Sequence, residues 1–399
     1  MLTQVLSDRE PLDQVLDRLF AEREFSPATR AWLYDVCSGT LRWKGRLDMA
    51  LDSTATKKKP SGWLRKTLLI AAYQLIAQDR SHASLVVSET VTEVKKRDGL
   101  APSRFANACL RKIADHAPQW RALECDSAEQ ASLPPWLWEK LLKQKGKPWL
   151  KAFAGATLDR PVTWIRHHES KVEETWLKSG SVEGAFEITE SGSISEKPGF
   201  KAGYFFVQDI SSQILVSEIS KIVKQTHGLH PKVLDLCSAP GGKTVGMHWN
   251  GLSVTASDLS VKRSELVREN VDRLSQPSQP PVRILEPGEL STTSDFDLVW
   301  IDAPCSGTGI IRRHPDVKWL REPKELRDLK QVQEKILLEG WKKVKAGGYL
   351  AYSVCSVLDD EGIQQIEKFA QGETIRTWSL CPQESPGGDG FWATLLRKS

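Results

Sequence analysis

The chain has 399 residues, long for one ordinary domain and enough to bury two or three separate cores. A hydrophobic content of 40% with 27% charged residues, and a mean hydropathy of -0.37, excludes the membrane and disordered classes and leaves a globular protein. No uninterrupted apolar run can span a bilayer, and Asp8, Arg9 and Glu10 interrupt the N-terminus where a secretory signal needs an apolar stretch, so a cytoplasmic protein without membrane contact is expected. The formal charge of +4 and an isoelectric point near 8.5 permit a polyanionic partner without demanding one. Seven cysteines occur with no C-x-x-C pair and no metal-ligand spacing, so neither a metal nor a disulfide framework is expected, and any cysteine that matters acts as a thiol.

From Pro11 to about Trp120 apolar residues recur at helical spacing, as in Leu64, Leu68, Leu69, Ala72 and Leu75, then Val87, Val91 and Val94. Breakers at Ser26-Pro27, Pro60-Ser61-Gly62, Gly99 and Pro102 predict a bundle of helices of moderate length over residues 1–125. Residues 126–230 are mixed: a helix is predicted over Pro135 to Lys145, short strands around Pro161 to Arg166 and Tyr204 to Val207, and a Gly- and Ser-rich stretch over Ser179 to Gly192, together a small α+β connecting domain. Over residues 231–399 apolar strands alternate with amphipathic helices. Val233 to Leu236, Ser253 to Ser257, Asp297 to Ile301 and Gly348 to Val354 read as strands; helices are predicted over Val261 to Leu274, over Lys324 to Val344 and from Asp359, with β-like pieces at Thr374 to Trp378 and Phe391 to Leu396. Such alternation predicts a Rossmann-like α/β domain with a parallel, doubly wound sheet, whose ligands bind at the C-terminal ends of its strands. Three basic runs, Lys57-Lys58-Lys59, Lys95-Lys96-Arg97 and Arg312-Arg313-His314, are expected to be exposed, each as readily a solvated face as a nucleic-acid contact.

The stretch Asp235-Leu236-Cys237-Ser238-Ala239-Pro240-Gly241-Gly242-Lys243-Thr244 follows the first of these strands and opens a helix. Paired glycines let the backbone pass close to a ligand, and helix N-terminal amides suit a carboxylate or a phosphate. A phosphate-binding P-loop needs a glycine where this chain has Cys237, and the spacing also fails the G-x-G-x-x-G pattern. One strand later Asp258 stands where an acid can accept both hydroxyls of a ribose. A ribose and an amino-acid carboxylate without a phosphate lysine describe S-adenosylmethionine. The alternative for Asp258 is that it only caps the following helix.

Asp302-Ala303-Pro304-Cys305-Ser306-Gly307-Thr308-Gly309 ends one strand, and Tyr352-Ser353-Val354-Cys355-Ser356 ends the next. Both thiols are therefore expected at the C-terminal edge of the sheet on neighbouring strands. Cys355 is expected immediately before a helix start marked by Asp359, Asp360 and Glu361, whose amides would favour a thiolate while those acids partly oppose it. Methylation of cytosine C5 requires that a thiolate first add to C6, so that C5 becomes enamine-like, and it needs an acid beside the pyrimidine; Asp302 is that acid. Cys37, Cys109, Cys125 and Cys381 read instead as small buried hydrophobes.

At these residues the chain resembles the RNA 5-methylcytosine methyltransferases, the RsmB/NSUN family: Leu236 to Thr244, Asp302 to Gly309 and Val354-Cys355-Ser356 match three of its motifs in order. Ile311 to Leu320 is similar to an extension found in the subgroup that acts on 16S, small-subunit ribosomal RNA. Leu33 to Leu51, Tyr73 to Lys96 and Asn107 to Ile113 are similar to its NusB-like helical domain, and Val207-Gln208-Asp209 with Ser211-Ser212-Gln213 to the segment leading into its catalytic domain. The resemblance implies a NusB-like all-α RNA-binding domain, a connecting piece and a class I methyltransferase domain, with S-adenosylmethionine as cofactor, ribosomal RNA as partner and a monomeric state. It further implies Cys355 as nucleophile, Cys305 as an aid to product release, and Asp302 as a contact to base and cofactor. The cofactor would be held by Cys237, Ser238, Ala239, Pro240, Gly241, Gly242, Lys243, Asp258, Arg263, Glu286 and Asp302. Two departures stand out: the family's Asp-Gly pair after the third strand is replaced by Leu285-Glu286-Pro287-Gly288, which moves the acid to Glu286 or loses it, and position 354 is Val where Thr is common.

Three other readings remain compatible with the sequence. The same chemistry could act on a cytosine of tRNA or another RNA. A mainly RNA-binding assembly factor would make the catalytic domain inert, against which stand the intact Cys355, Cys305 and Asp302. A DNA cytosine methyltransferase would use the cysteine of its Pro-Cys motif, here Cys305, as nucleophile.

Overall fold

Helix Pro27–Thr54 organises the N-terminal part of the computed structural model; Ser26 caps it by accepting from Thr29 N–H at 3.2 Å, and Pro27 fills a first-turn position whose missing N–H costs nothing. The structure describes residues 1–55, 59–79, 81–169, 172, 174–190, 192–276, 278–286, 288–384 and 387–399; Lys57, Lys58 and Pro287 lie outside them. The chain divides into two units, Met1–Arg160 with Ile311–Arg321, and Pro161–Ile310 with Glu322–Ser399.

The first unit is helical. Helix Pro27–Thr54 buries most of its length from Val36 to Leu51. Its two glycines admit close neighbours: a Cβ at Gly39 would lie 2.0 Å from the Tyr73 ring and one at Gly45 2.4 Å from Glu129 O. Helices Gly62–Ile76, Ala83–Asp98 and Leu100–Asp115 pack in the same unit, with Leu68, Leu69, Ala72, Val87 and Val94 buried as their spacing predicts. Each such aliphatic side chain taken from water contributes about 1.5–3 kcal/mol. Gly99, at φ 88°, ends one of these helices and begins the next, a conformation that side chains with a Cβ avoid.

The segment 126–230, expected as one connecting domain, is divided. Helices Pro135–Lys145 and Lys147–Leu158 belong to the helical unit, while the strands that follow belong to the second. Residues 311–321 also fold with the helices. Arg42 Nε donates to Arg312 O at 2.9 Å, Lys318 Nζ to Arg42 O at 2.9 Å, Trp319 Nε1 to Leu41 O at 2.7 Å, and Leu12 N–H to Asp316 Oδ2 at 3.0 Å. The expected exposure of Arg312-Arg313-His314 is thereby corrected: Arg312 is buried, because its backbone carbonyl caps a buried guanidinium instead of facing water. Lys95, Lys96, Arg97 and Lys59 are exposed as expected.

The second unit holds two sheets. Strands β1 (Trp164–His167), β2 (Leu177–Ser179), β3 (Ala185–Ile188) and β4 (Phe205–Val207) form an antiparallel sheet in the order β2-β3-β1-β4. Strands β5 (Lys232–Asp235), β6 (Ser253–Ala256), β7 (Arg283–Ile284), β8 (Phe296–Asp302), β9 (Val344–Val354), β10 (Glu373–Leu380) and β11 (Phe391–Arg397) form the second, in the order β10-β11-β9-β8-β5-β6-β7. β7-β6-β5-β8-β9 are parallel and β11 runs antiparallel to both β9 and the edge strand β10, so the sheet is mixed where a parallel one was expected. Helices Gly242–Trp249, Val261–Leu274 and Pro323–Lys343 make the crossovers. Chain order runs outward from β5 to β7 and then returns to β8 on the other side of β5, so the switch point lies at the ends of β5 and β8, where such sheets bind ligands.

Candidate active site

Asp235 ends β5 fully buried. Its Oδ2 accepts from Thr244 Oγ1 at 2.6 Å, and its Oδ1 is buried without a hydrogen-bond partner among the described residues. Burial, reinforced by the charges of Asp302 and Asp258, pushes this carboxyl up to about 7, against the Thr244 hydrogen bond and Lys243. The following turn is tied down on both sides. Ser238 N–H and Oγ both donate to Ser257 O at 3.0 Å, Ala239 N–H donates to Asp258 Oδ2 at 3.3 Å, Arg263 Nη2 to Ala239 O at 3.1 Å and Asn270 Nδ2 to Pro240 O at 2.9 Å. Gly241 stands at φ 106°, a backbone conformation that calls for glycine. Cys237 lies beneath this turn, and burial with the nearby charge of Asp235 pushes its thiol up to about 12, which keeps it protonated and inert.

Asp258, at the tip of β6, accepts Ser260 N–H on Oδ1 at 3.1 Å; the cap of helix Val261–Leu274 is Ser260, which accepts from Arg263 N–H at 3.4 Å. Capping is therefore not the task of Asp258, whose carboxylate spans two loops. Glu286 follows β7 but is largely exposed and paired with Arg268 at 2.9 Å.

Asp302 ends β8. Lys243 Nζ meets its Oδ2 at 2.6 Å and Ser353 Oγ donates to its Oδ1 at 2.9 Å, with Trp300 Nε1 donating to Ser353 Oγ at 3.0 Å. Burial alone would lower the Lys243 ammonium, yet Asp302, then Cys355 and Asp235, hold it above its ordinary value, so the motif lysine is a cation held at the site by its acids. Cys305 and Cys355 meet across β8 and β9 with their sulfurs 3.3 Å apart. The hydrogen bond to Cys355, then burial and the charges of Cys355 and Glu361, push the Cys305 thiol well above its usual range.

The expected helix start after Cys355 is corrected. The helix is Ile363–Phe369, with Gly362 rather than the acids after Cys355 at its N-cap. Residues 356–361 instead turn inward: Val357 N–H donates to Thr308 Oγ1 at 3.2 Å, and Glu361, 0% exposed, accepts Ser306 N–H at 2.8 Å, Ser306 Oγ–H at 2.5 Å and Gln333 Nε2 at 3.1 Å. Gly309 N–H donates to Cys355 O at 3.0 Å, and a Cβ on Gly309 would lie 2.0 Å from Gly390 O. Asp235, Ser353 and Glu361 are site residues that sequence reasoning passed over; only Asp235 had a signal, its place at the end of a strand before the glycine turn.

This switch point, with an acid at the tip of the second strand and a glycine turn but no phosphate lysine, defines a Rossmann-like class I methyltransferase unit in a chain that also carries a helical one. An orphaned acid oxygen at the end of β5 and a turn open to close approach fit a nucleoside carrying a cationic amino acid. A family model described as 16S rRNA methyltransferase RsmB/F matches residues 225–391, and a NusB family model matches residues 1–115. Ribosomal RNA small subunit methyltransferase B of Enterobacter sp. (strain 638) is 31% identical over 429 residues, covering 100% of this chain and 97% of the relative. The protein of that name from Yersinia enterocolitica is 30% identical, with 100% and 96% covered. Among solved structures, one described as PH0851 aligns with a TM-score of 0.70 at 20% identity, over 99% of this chain and 96% of its own, and NSun6 from Pyrococcus horikoshii with SFG aligns at 0.54 and 17%, over 66% and 98%; both share the fold. The chain belongs to the RsmB/F family of 16S rRNA methyltransferases with an N-terminal NusB domain, and its cofactor is S-adenosylmethionine. Among the described residues no cluster of three or more metal-ligating side chains occurs, and no helix is long and apolar enough to cross a membrane.

Proposed function

We propose that the protein methylates C5 of a cytosine in small-subunit ribosomal RNA, in the cytoplasm, through a covalent bond from Cys355 Sγ to C6. The observation that carries this reading is the pair of thiols 3.3 Å apart at the ends of adjacent parallel strands, with Asp302 and Lys243 at the same edge. Bound S-adenosylmethionine supplies the methyl group; Asp258, Asp235 and the turn from Cys237 to Lys243 with Arg263 would hold it, while Glu286 is engaged by Arg268.

Cys355 Sγ adds to C6 as the nucleophile, at the edge of the sheet that also carries the Lys243 ammonium. Asp302 offers the pyrimidine an acceptor and Lys243 a cation for the charge that builds on the ring. After methylation the C5 proton must leave so that the electrons can return to C6–C5 and expel Cys355. In the free enzyme Cys305 is held as a thiol chiefly by its hydrogen bond to Cys355. Once Cys355 sulfur is bonded to carbon that cause is gone, so Cys305 releases its proton to solvent more readily and can then take the one from C5. A Cys305 kept protonated until the adduct forms suits this role and not that of nucleophile.

The test is a denaturing gel after incubation with ribosomal RNA and methyl donor. Cys355→Ala should abolish methylation while still binding cofactor and RNA. Cys305→Ala should accumulate a nuclease-sensitive enzyme–RNA band that disappears in the double variant. Adduct lost in Cys305→Ala and kept in Cys355→Ala would reverse the assignment, and methylation of duplex DNA but not ribosomal RNA would refute the substrate.

A further inference from the structure

The helical unit contains a cleft of about 750 Å³ that methyl transfer does not use. Its lining carries five cationic side chains, Arg42, Arg46, Arg121, Lys151 and Arg160, against three carboxylates. The cations differ in how they are engaged. Arg46 is buried and fully used, donating to Gln130 O at 2.5 Å, Arg121 O at 3.0 Å and Cys125 Sγ at 3.2 Å. Arg42 is 3% exposed and donates only through Nε, to Arg312 O at 2.9 Å; among the described residues its two terminal nitrogens have no acceptor.

A guanidinium so little exposed to water is costly unless an anion completes it. The neighbouring carboxylate, Asp35, is taken by Arg160 at 2.7 Å, Gln78 at 2.8 Å and Tyr73 OH at 3.3 Å. Lys318, fully buried with Nζ on Arg42 O at 2.9 Å, brings Arg42 no counter-charge; burial and then Arg42 drive its ammonium well below the ordinary range. At the rim, Arg121 pairs with Asp79 and Lys151 with Glu124, each at 2.6 Å, and these acids are 63% and 72% exposed. Pairs so exposed are weak, and a phosphate can displace the carboxylate at little cost.

We propose that this cleft binds the sugar-phosphate backbone of the RNA substrate, with one phosphate on the terminal nitrogens of Arg42 and its neighbours on Arg160, Arg121 and Lys151. A planar guanidinium fork matches a phosphate bidentately, and the volume exceeds what a single small anion fills. The inference rests on the reading that the chain acts on ribosomal RNA.

The test uses the full chain and a fluorescent transcript of small-subunit ribosomal RNA, titrated by anisotropy between about 50 and 200 mM salt. Because Arg42→Gln endangers the fold, the rim is changed instead, in Arg121→Glu/Arg160→Glu, with Arg18→Glu as a control: Arg18 is an exposed cation of the same unit outside the cleft, paired with Glu10 at 2.6 Å. Calorimetry with S-adenosylmethionine checks folding of each variant. The double variant should bind at least about tenfold more weakly, and its slope of log affinity against log salt should fall by about 0.7–0.9 for each phosphate that is no longer neutralised. Arg18→Glu should stay within about twofold of wild type. Equal weakening in the two variants, or none in the double variant, would overturn the cleft while leaving the rRNA reading intact. A wild type that ignores the transcript overturns both. If inorganic phosphate raises the melting temperature of the wild type but not of the double variant while RNA affinities are equal, the cleft holds a small anion and the RNA assignment is wrong.

Discussion

Removing the Glu361 carboxylate should damage the enzyme in two separable ways. Its oxygens accept Ser306 N–H, Ser306 Oγ–H and Gln333 Nε2 at 2.8, 2.5 and 3.1 Å, and the side chain is 0% exposed. Glu361→Ala leaves three buried donors unmatched, at about 1–3 kcal/mol each when taken singly. The network relaxes as a unit, so the total is on the order of 3–5 kcal/mol, the range for breaking a buried charged cluster. For a unit of this size about 1 kcal/mol moves the midpoint by 2–4 °C, so the melting temperature should drop by roughly 10 °C. Glu361→Gln keeps the shape and one acceptor, and should cost about 1 kcal/mol. The second effect is on chemistry: Ser306 follows Cys305 directly, so loosening it spoils the approach of the two sulfurs, and misplacement by about 1 Å costs on the order of a hundredfold in rate. Thermal melts and single-turnover methyl transfer on both variants, with calorimetry for the cofactor, read these effects apart. The expected pattern is a lowered kcat with unchanged cofactor affinity even in Glu361→Gln. A Glu361→Ala enzyme that melts within about 2 °C of wild type and keeps its kcat would refute the reasoning.

Asp258→Ala should weaken S-adenosylmethionine binding about ten- to hundredfold, the equivalent of 1–3 kcal/mol, with RNA affinity retained; unchanged affinity in calorimetry would remove Asp258 from the cofactor site. Gly309→Ala should destabilise the catalytic unit by about 1–3 kcal/mol or more, since its Cβ would meet Gly390 O at 2.0 Å and backbone on both sides must move; a denaturant melt that superimposes on wild type would contradict this. The hydrogen bond to Asp13 at 3.2 Å, opposed by burial, raises the His314 pKa. A raised folded-state pKa gives stability that is complete below the unfolded value near 6.5 and is lost as pH climbs through the folded one. Hydrogen exchange of residues 311–321 should therefore speed up more between pH 6 and about 8 in wild type than in His314→Gln, beyond the intrinsic pH effect on exchange common to both. Equal pH sensitivity would show that the pair does not hold this segment.

What the sequence made legible follows the range of the interaction involved. Helices Pro135–Lys145 and Val261–Leu274 appear with the bounds that their own breakers and apolar spacing predict, because caps and periodicity act within one or two turns. The ends of β5, β6, β8 and β9 were legible for the same reason, and with them Asp258, Asp302 and the two cysteines. Arg312 was misjudged because a run of cations looks alike whether it faces water or, as here, lends its carbonyl to Arg42, a residue 270 positions away.

Glu361 shows the same limit at the site itself. Asp359, Asp360 and Glu361 have the composition of a helix first turn, where acids favour the dipole, and a local reading assigns them to it. Their fate was decided by residues 306 and 333, which present unsatisfied donors in a buried space and draw one carboxylate inward, ending any helix there. Lys243 follows the same logic in reverse: its motif suggests a lysine facing the ligand, yet Asp302, fixed by Ser353 and lying 59 positions further along the chain, claims it first. Motif residues at a switch point are thus shared between cofactor and fold, and their division is set by which buried charge would otherwise lack a partner. On that ground Asp235, whose Oδ1 has none, is the acid of this edge with most left to offer a cationic ligand, and Glu286, already matched by Arg268, the one with least.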